Sequence, residues 1–250
     1  MALLTARPTS PTEGLHFVEN FVGNGVITTN LIGQNSWTTT AVANAGTLTY
    51  LTTILATDPP GGGIRMLSAG ASGDCDAVHM LANNARIKAS AGGGGFAFRF
   101  RYPGIAGNII ATNNFYIGLH TTVTATAPTD GILIESAAGV LTLRSDSADH
   151  GDLSQALGGV TTLTSGTTAV LDVAHQVEVH WSGTNGQGGP RLVEAFVDNQ
   201  PAGSLYSVMD DDENVRPNIV HWASAADTLE LDVHYFEWWQ FLDYPTATAV

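Results

Sequence analysis

The sequence has few of the residues that cross-link or charge most protein domains. Cys75 is the only cysteine among 250 residues, so no intrachain disulfide can form and the fold does not depend on an oxidising compartment. Lys88 is the only lysine, and 9 basic residues stand against 23 acidic ones, which gives a formal net charge of −14. Such an acidic surface repels phosphate backbones, so nucleic acid is not an expected partner.

Long apolar stretches are also missing. No apolar window of about 18 residues occurs, and the N-terminal residues MALLTARPTSPTEG lack a basic region followed by an apolar segment. We therefore expect no membrane partner, and synthesis in the cytoplasm without a secretion signal.

Charged residues are scarce as well, at 13% of the chain, whereas glycine occurs 28 times and threonine and alanine are abundant. Exposed helix faces are usually built from Glu, Lys and Arg, while β-branched residues and turn formers favour sheets. The composition and length predict an all-β chain with a single domain over residues 15–250. Residues 1–14, with Pro8 and Pro11, are expected to form an extended N-terminal arm.

Strict alternation marks the clearest strand, in which Phe96, Phe98 and Phe100 share one face and Arg99 and Arg101 share the other. Similar patterns predict further strands at 47–55, 63–67, 115–120, 131–136, 139–145, 177–181, 191–198 and 229–239. Turn-rich pieces separate them, as in a sandwich or jelly roll. The glycine run 92–95 is predicted to be a loop, and residues 152–157 a short helix capped by Asp152.

The last strand, LELDVHYFEWW (229–239), carries acids in a pattern that suggests a glycosidase. On a regular strand Glu230, Asp232 and His234 form the exposed side, while Leu229, Leu231, Val233 and Tyr235 fill the core. A retaining glycosidase needs two carboxyls about 5 Å apart. Glu237 falls on the opposite face, so the pattern favours a structural strand, and no catalytic residue is predicted.

Three aromatic residues end this strand, and their role stays open. Trp238, Trp239 and Phe241 could be core or subunit contacts, or they could form a platform on which sugar rings stack.

No metal or cofactor site is predicted. The acids Asp210, Asp211, Asp212 and Glu213 are consecutive, whereas calcium loops space their ligands apart. Asp74 and Asp76 have no third acid nearby. The histidines are scattered singly and are expected to be surface residues where they alternate outward, as at His120, His180 and His234; all eight are His16, His79, His120, His150, His175, His180, His221 and His234.

The order of the strand motifs resembles that of concanavalin-like, laminin-G-like jelly-roll proteins from the virions of tailed bacteriophages. The resemblance covers roughly residues 90–241, and the motifs that carry it are FAFRFRY, FYIGLH, TDGILIE, VEVHW, VEAFVDNQPAG, RPNI and LELDVHY. It implies a two-sheet antiparallel jelly-roll sandwich.

The resemblance also implies a function. Expected is a non-enzymatic structural protein on the capsid surface, most specifically a capsid decoration protein that binds the major capsid protein and copies of itself. The same fold includes lectins, so a glycan-binding module of a head fibre or tail is the alternative.

Overall fold

Two antiparallel β-sheets pack face to face in the computed structural model. The structure describes residues 7, 14–22, 37–42, 46–51, 62–80, 93–104, 107–158, 172–185, 188–210 and 214–241. Within this part of the chain the regular structure is fifteen strands and one short 3-10 turn at Ile110–Thr112. The all-β expectation is confirmed.

The strands follow one another along the whole described chain. They are β1 (Gly14–Glu19), β2 (Trp37–Val42), β3 (Thr47–Tyr50), β4 (Ile64–Leu67), β5 (Cys75–Met80), β6 (Gly94–Arg101), β7 (Asn113–His120), β8 (Gly131–Ala137), β9 (Val140–Ser147), β10 (Gly151–Ala156), β11 (Ala174–Thr184), β12 (Pro190–Val197), β13 (Gln200–Tyr206), β14 (Arg216–Ala223) and β15 (Glu230–Phe241).

One sheet has eight strands in the order β13-β12-β11-β6-β15-β4-β3, with β1 also paired to β15. The other has seven, in the order β10-β9-β8-β7-β14-β5-β2. The long strands β6 and β15 lie side by side in the first sheet, and β7 and β14 do so in the second. The most regular parts of the sequence thus form the centre of each sheet.

The core lies between the sheets and is rich in aromatic rings. Phe96, Phe98 and Phe100 point inward from β6 and are fully buried, as the alternation predicts. The ring of Phe100 meets that of Phe115, from the opposite sheet, edge to face at 5.0 Å between centroids. Such contacts add to the burial of apolar area that stabilises the sandwich.

A buried polar network also joins the two sheets. Asn113 on β7 donates from Nδ2 to the Glu230 carbonyl of β15 at 2.9 Å and to Asn108 Oδ1 at 2.9 Å. Its Oδ1 lies 2.8 Å from His221 Nε2. Burial lowers the pKa of His221 to about 3, so this imidazole is neutral at physiological pH. Its Nε2 donates to the amide oxygen of Asn113. The network satisfies polar groups that packing has removed from water.

Two local predictions are wrong. Residues 152–157 were expected to be a helix, but Gly151–Ala156 forms the edge strand β10, paired with β9, and all six residues are exposed. The loop expected at 92–95 also ends early, because Gly94 and Gly95 belong to β6. A Cβ on Gly95 would lie 2.3 Å from Trp239 Cζ2, so close packing requires glycine inside this strand.

Candidate functional site

A β-bulge in β15 decides which side chains share a face. Val233 pairs with Phe100 and Tyr235 pairs with Arg99, so His234 is an extra residue without a register partner in β6. After the bulge the alternation is inverted. Glu237 therefore lies on the same outer face as Asp232, which corrects the expectation that it points the other way.

The bulge also exchanges two aromatic residues. Phe236 pairs with the inward-facing Phe98 and is fully buried in the core. Tyr235, which was expected in the core, pairs with the outward-facing Arg99 and is half-buried. Burial there raises the pKa of the Tyr235 phenol.

The outer face of the eight-stranded sheet is largely covered, although its side chains are polar. Asp232 is 0% exposed, His180 5% and His234 3%. His120, on the outer face of the other sheet, is also fully buried. The alternation placed His120 and His180 on the right face, but the expectation that the outward side chains are solvent-exposed is wrong.

Asp232 holds two arginines. Arg65 donates from Nε to Asp232 Oδ1 at 2.7 Å and from Nη2 to Oδ2 at 3.0 Å. The buried Arg101 donates from Nε to the same Oδ2 at 3.2 Å. The hydrogen bond to Asp232 raises the pKa of Arg65. Arg65 also pairs with Glu230 at 2.8 Å, and burial raises the pKa of the Glu230 carboxyl.

A second group of side chains lies beyond the bulge, in two rows that cross three strands. Glu178 on β11 and Glu237 on β15 both pair with Ala97 of β6, so they flank it. In the next row His180 and Trp239 flank Gly95. The centre of each row is a small residue, so the indole of Trp239 can lie over Gly95 and forms a floor that Glu178, His180 and Glu237 border.

Arg7 fills this pocket. Its Nε donates to Glu237 Oε1 at 2.9 Å and its Nη2 to Glu178 Oε2 at 3.3 Å. The guanidinium carbon lies 3.6 Å above the ring centroid of Trp239, which is a close cation–π contact. We call Glu178, His180, Glu237 and Trp239, with Gly95 and Ala97 beneath them, the arginine pocket.

Each carboxylate of the arginine pocket also has a histidine neighbour. His180 Nε2 lies 3.1 Å from Glu178 Oε2, and His16 Nε2 lies 2.8 Å from Glu237 Oε1. The hydrogen bond from His180, with the charge of Arg7, lowers the pKa of Glu178. The pocket is therefore suited to a cation, because two carboxylates and an indole face converge on one position.

Glu237 does not form a glycosidase pair with the other acids of β15, although the bulge brings them to one face. Asp232 pairs with Arg101 and Glu237 with Ala97, four residues apart on β6, which corresponds to about 13 Å. Glu230 lies farther still from Glu237. Glycosidases need their two carboxyls within about 5 to 9.5 Å. Separation along the strand, and not an opposite face, thus keeps Glu237 from forming a catalytic pair with Asp232 or Glu230.

The aromatic residues at the end of β15 do not form an exposed platform. Trp239 is fully buried beneath Arg7, and Trp238 packs against the core. Phe241 is half-buried, and its backbone amide donates to the carbonyl of Gly93. A sugar ring could reach the indole of Trp239 only after Arg7 had left.

The other predicted positions have local roles. Asp74 accepts a hydrogen bond from the amide of Ala71 at 2.7 Å and closes a turn. Burial raises the pKa of Asp76 to about 6 and that of Cys75 to about 12, so the thiol is protonated at neutral pH. Asp210 lies 3.2 Å from His150, while residues 211–213 fall outside the described residues.

Within the described ranges, no three His, Cys, Asp or Glu side chains converge as metal ligands would. No helix in this part of the chain has the length and hydropathy needed to cross a membrane.

Sequence reasoning missed Arg7 and with it the arginine pocket. Arg7 and Glu237 are 230 positions apart, and no local pattern links them. The bulge did leave a trace, because the apolar positions shift from Leu231 and Val233 to Phe236 and Trp238. This change of phase predicts an extra residue between Val233 and Phe236, but the aromatic Tyr235 and Trp239 conceal it.

The fold is a concanavalin-like jelly-roll sandwich, as solved structures bear out. A protein of unknown function from Shewanella oneidensis MR-1 matches with a TM-score of 0.58 and 12% identity, over 99% of this chain and 95% of that one. The carbohydrate recognition domain of Emp47p matches with a TM-score of 0.50 and 10% identity, over 94% and 100%.

An enzyme shares the fold too. An endo-β-1,4-glucuronan lyase from the fungus Trichoderma reesei matches with a TM-score of 0.50 and 11% identity, over 89% of this chain and 94% of that one. No protein-family pattern and no curated protein sequence matches the chain. At such low identities the similarity establishes the fold, which binding proteins and enzymes share.

Proposed function

We propose that the chain is a structural virion protein of a tailed phage, most specifically a decoration protein that binds the outer surface of the capsid and stabilises it. Its partners are then the major capsid protein and copies of itself. It is made in the host cytoplasm and acts on the virion. The order of motifs from FAFRFRY to LELDVHY is the sequence support for this proposal.

The observation that carries the proposal is the filling of the outer face of the eight-stranded sheet. Asp232 binds two arginines, Glu230 binds Arg65, and Glu237 binds Arg7. Every acid of β15 thus has a cationic partner from its own chain. In these ion pairs the opposite charges neutralise each other and connect neighbouring strands. The three carboxylates of β15 are then engaged by arginines and are not available as an acid–base pair.

The exposed edges of the sandwich offer surfaces for a capsid. β10, at one end of the seven-stranded sheet, is exposed along its whole length, with Leu153 at 42%. β13, at the end of the other sheet, exposes Tyr206 at 64%. Exposed edge strands and large apolar side chains are common docking features.

Capsid binding tests the proposal directly. Purified protein is added to capsids assembled from the major capsid protein of the same phage, and bound protein and capsid melting temperature are measured. We expect binding at a fixed copy number and a higher melting temperature, with Glu230→Gln equal to wild type. Absence of binding, or binding without a fixed copy number, would contradict a decoration role.

The alternative, glycan binding, is favoured by one feature of the arginine pocket. The face of Trp239 is bordered by Glu178, Glu237 and His180, and an aromatic face with polar groups beside it is what a sugar site requires. In this alternative Arg7 covers the site and a glycan displaces it.

A glycan array separates the two functions. Glycan binding predicts that Arg7→Ala binds more tightly than wild type and that Trp239→Ala, in the same background, abolishes the signal. If neither wild type nor Arg7→Ala binds any glycan, the alternative is wrong.

A further inference from the structure

We infer that His16 and His180 make the arginine pocket a pH-sensitive latch, which holds Arg7 at neutral pH and releases its side chain when the two imidazoles take up protons. Release uncovers the indole face of Trp239 and the carboxylates that border it. The latch concerns how this face of the sheet is closed, and it operates whether or not the protein binds a capsid.

Each of the two histidines shares one carboxylate oxygen with Arg7. Glu237 Oε1 lies 2.9 Å from Arg7 Nε and 2.8 Å from His16 Nε2. Glu178 Oε2 lies 3.3 Å from Arg7 Nη2 and 3.1 Å from His180 Nε2. The guanidinium and the imidazoles therefore bind the same two atoms, so a new positive charge on either imidazole acts directly on Arg7.

The surroundings of His180 hold its ring in place. Its ring centroid lies 5.2 Å from that of Phe196 and 5.4 Å from that of Trp239, and the residue is 5% exposed. The other oxygen of Glu178, Oε1, already accepts a hydrogen bond from Gln176 Nε2 at 2.9 Å. A protonated His180 thus stays beside the oxygen that Arg7 uses.

His16 is the more accessible of the two histidines. Its side chain is 32% exposed, so water can deliver a proton to it without any movement of the sheet. It lies on β1, opposite Trp239 of β15, and so borders the pocket from the side across from β11. The two histidines therefore act on Arg7 from both sides.

The other charged and titratable groups around the pocket do not offset these protons. Tyr235 stays neutral, because burial raises the pKa of its phenol, and Arg99 beside it is one more cation. Glu194 pairs with His180 across β11 and β12, but it is exposed, so solvent screens its charge. The whole set is Glu178 and His180 on β11, Glu194 on β12, Glu237 and Tyr235 on β15, Arg99 on β6 and His16 on β1.

Linkage fixes the direction of the switch. A positive imidazole repels the Arg7 guanidinium, so the state with Arg7 released takes up protons more readily than the closed state. Closure is therefore favoured at high pH and weakens as the pH falls through the range in which histidines change charge, about 8 to 5. The pKa of Glu178 is lowered, mainly by the hydrogen bond from His180, so its carboxylate stays ionised over this range and release follows from the histidines.

Nuclear magnetic resonance of the full chain with ¹⁵N-labelled arginine tests the latch. The Nε–Hε signal of Arg7, which the ring current of Trp239 shifts, is assigned by its absence in Arg7→Lys. Its position gives the ratio of bound to released side chain. We expect this ratio to fall at least about fivefold between pH 7.5 and 5.5 in wild type.

The double variant His16→Gln/His180→Gln removes the switch, because glutamine keeps a donor but takes up no proton. Its Arg7 signal should stay at the bound position down to pH 5.5. The matched control is His175→Gln, which removes a histidine that lies 2.8 Å from Asp198 and makes no contact with Arg7, and it should titrate like wild type. Near-UV circular dichroism checks that each variant folds.

An Arg7 signal that does not move in wild type overturns the latch, and so does a double variant that titrates like wild type. Loss of the titration in His175→Gln would assign the effect to another histidine and would also overturn it. If the double variant does not fold, His16→Gln alone, at a partly exposed position, should lose part of the pH dependence. An unchanged profile in His16→Gln would then contradict the latch.

Discussion

The outer faces of the two sheets are closed in different ways. On the seven-stranded sheet, Val123 and Ala125 from the segment directly after β7 pack over an apolar cluster of Tyr116, Leu133 and Val220. On the eight-stranded sheet, closure includes Arg7, which comes from the far end of the chain and meets carboxylates and an indole.

The two kinds of closure respond differently to changes in charge. Apolar closure by a neighbouring segment forms together with the strand that precedes it, and it is insensitive to charge. Ionic closure by a distant residue depends on ionic strength and on both charges. The eight-stranded sheet is therefore the face whose closure should respond to salt and to charge-removing substitutions.

The largest expected effect comes from the buried ion pairs of the eight-stranded sheet. Asp232→Ala leaves Arg101 buried and removes the carboxylate to which it donates, so we expect a loss of about 3–5 kcal/mol in the free energy of unfolding. Urea unfolding measures it. The control Glu230→Gln, at a half-buried position, should cost less than about 1 kcal/mol. Equal losses in the two variants would show that Asp232 has no special role.

On the seven-stranded sheet the comparable change removes apolar area. Leu133→Ala creates a cavity in a cluster whose leucine is fully buried, with an expected loss of about 2–4 kcal/mol. Val123→Ala, at the partly buried edge of the same cluster, should cost clearly less. Added salt distinguishes the two faces, because the loss in free energy of unfolding caused by Leu133→Ala should not change with ionic strength. A loss that varied with ionic strength would contradict apolar closure.

Arg7→Ala should have a smaller effect, confined to one face. We expect a loss of about 1 kcal/mol, because the side chain is partly exposed, together with easier quenching of tryptophan fluorescence by acrylamide as Trp239 is uncovered. Arg7→Ala in a Trp239→Phe background serves as the control and should show no added quenching. Quenching that persists there would mean that another tryptophan reports the change.

The two faces should also respond to pH in opposite directions. The lowered pKa of Glu178 stabilises the folded state above its ordinary value of 4.5, and this contribution is lost as the pH falls below it. Burial raises the pKa of Asp146, beside Arg144 on the other sheet, to about 7, so its contribution favours folding increasingly as the pH falls from about 7 towards 4.

Two substitutions separate these contributions. Glu178→Gln should flatten the acid side of the stability profile, and Asp146→Asn should flatten the part between about pH 4 and 7. Unfolding midpoints measured across this range check both slopes. Variants that keep the wild-type slopes would contradict the assignment.

The strands that alternate strictly were predictable, and the covered outer face was not. Phe96, Phe98 and Phe100 reveal their strand because one face of β6 is wholly apolar, and this pattern is local. The helix expected at 152–157 failed because pairing with β9 overrides local propensity at a sheet edge. Burial of His180 and Asp232 depends on partners elsewhere in the chain, which alternation alone does not reveal.

The candidate site shows the same limit more sharply. Its residues come from the arm, β6, β11 and β15, so no motif in the sequence contains it. Glu237 was misplaced by one residue of register, because a single bulge inverts every later side chain of the strand. The sequence did contain that shift in its apolar phase, and a search for phase changes within strands would have found it.

A double-mutant cycle between Arg7→Ala and Glu237→Gln tests most directly whether the arginine pocket closes the eight-stranded sheet. Unfolding free energies of wild type, both single variants and the double variant give the coupling between the two side chains. Closure by Arg7 predicts a favourable coupling of about 0.5–1.5 kcal/mol. In the Arg7→Ala background, Glu237→Gln should then cost no more than the loss of its hydrogen bond to His16. A coupling of zero would show that Arg7 does not bind in the pocket.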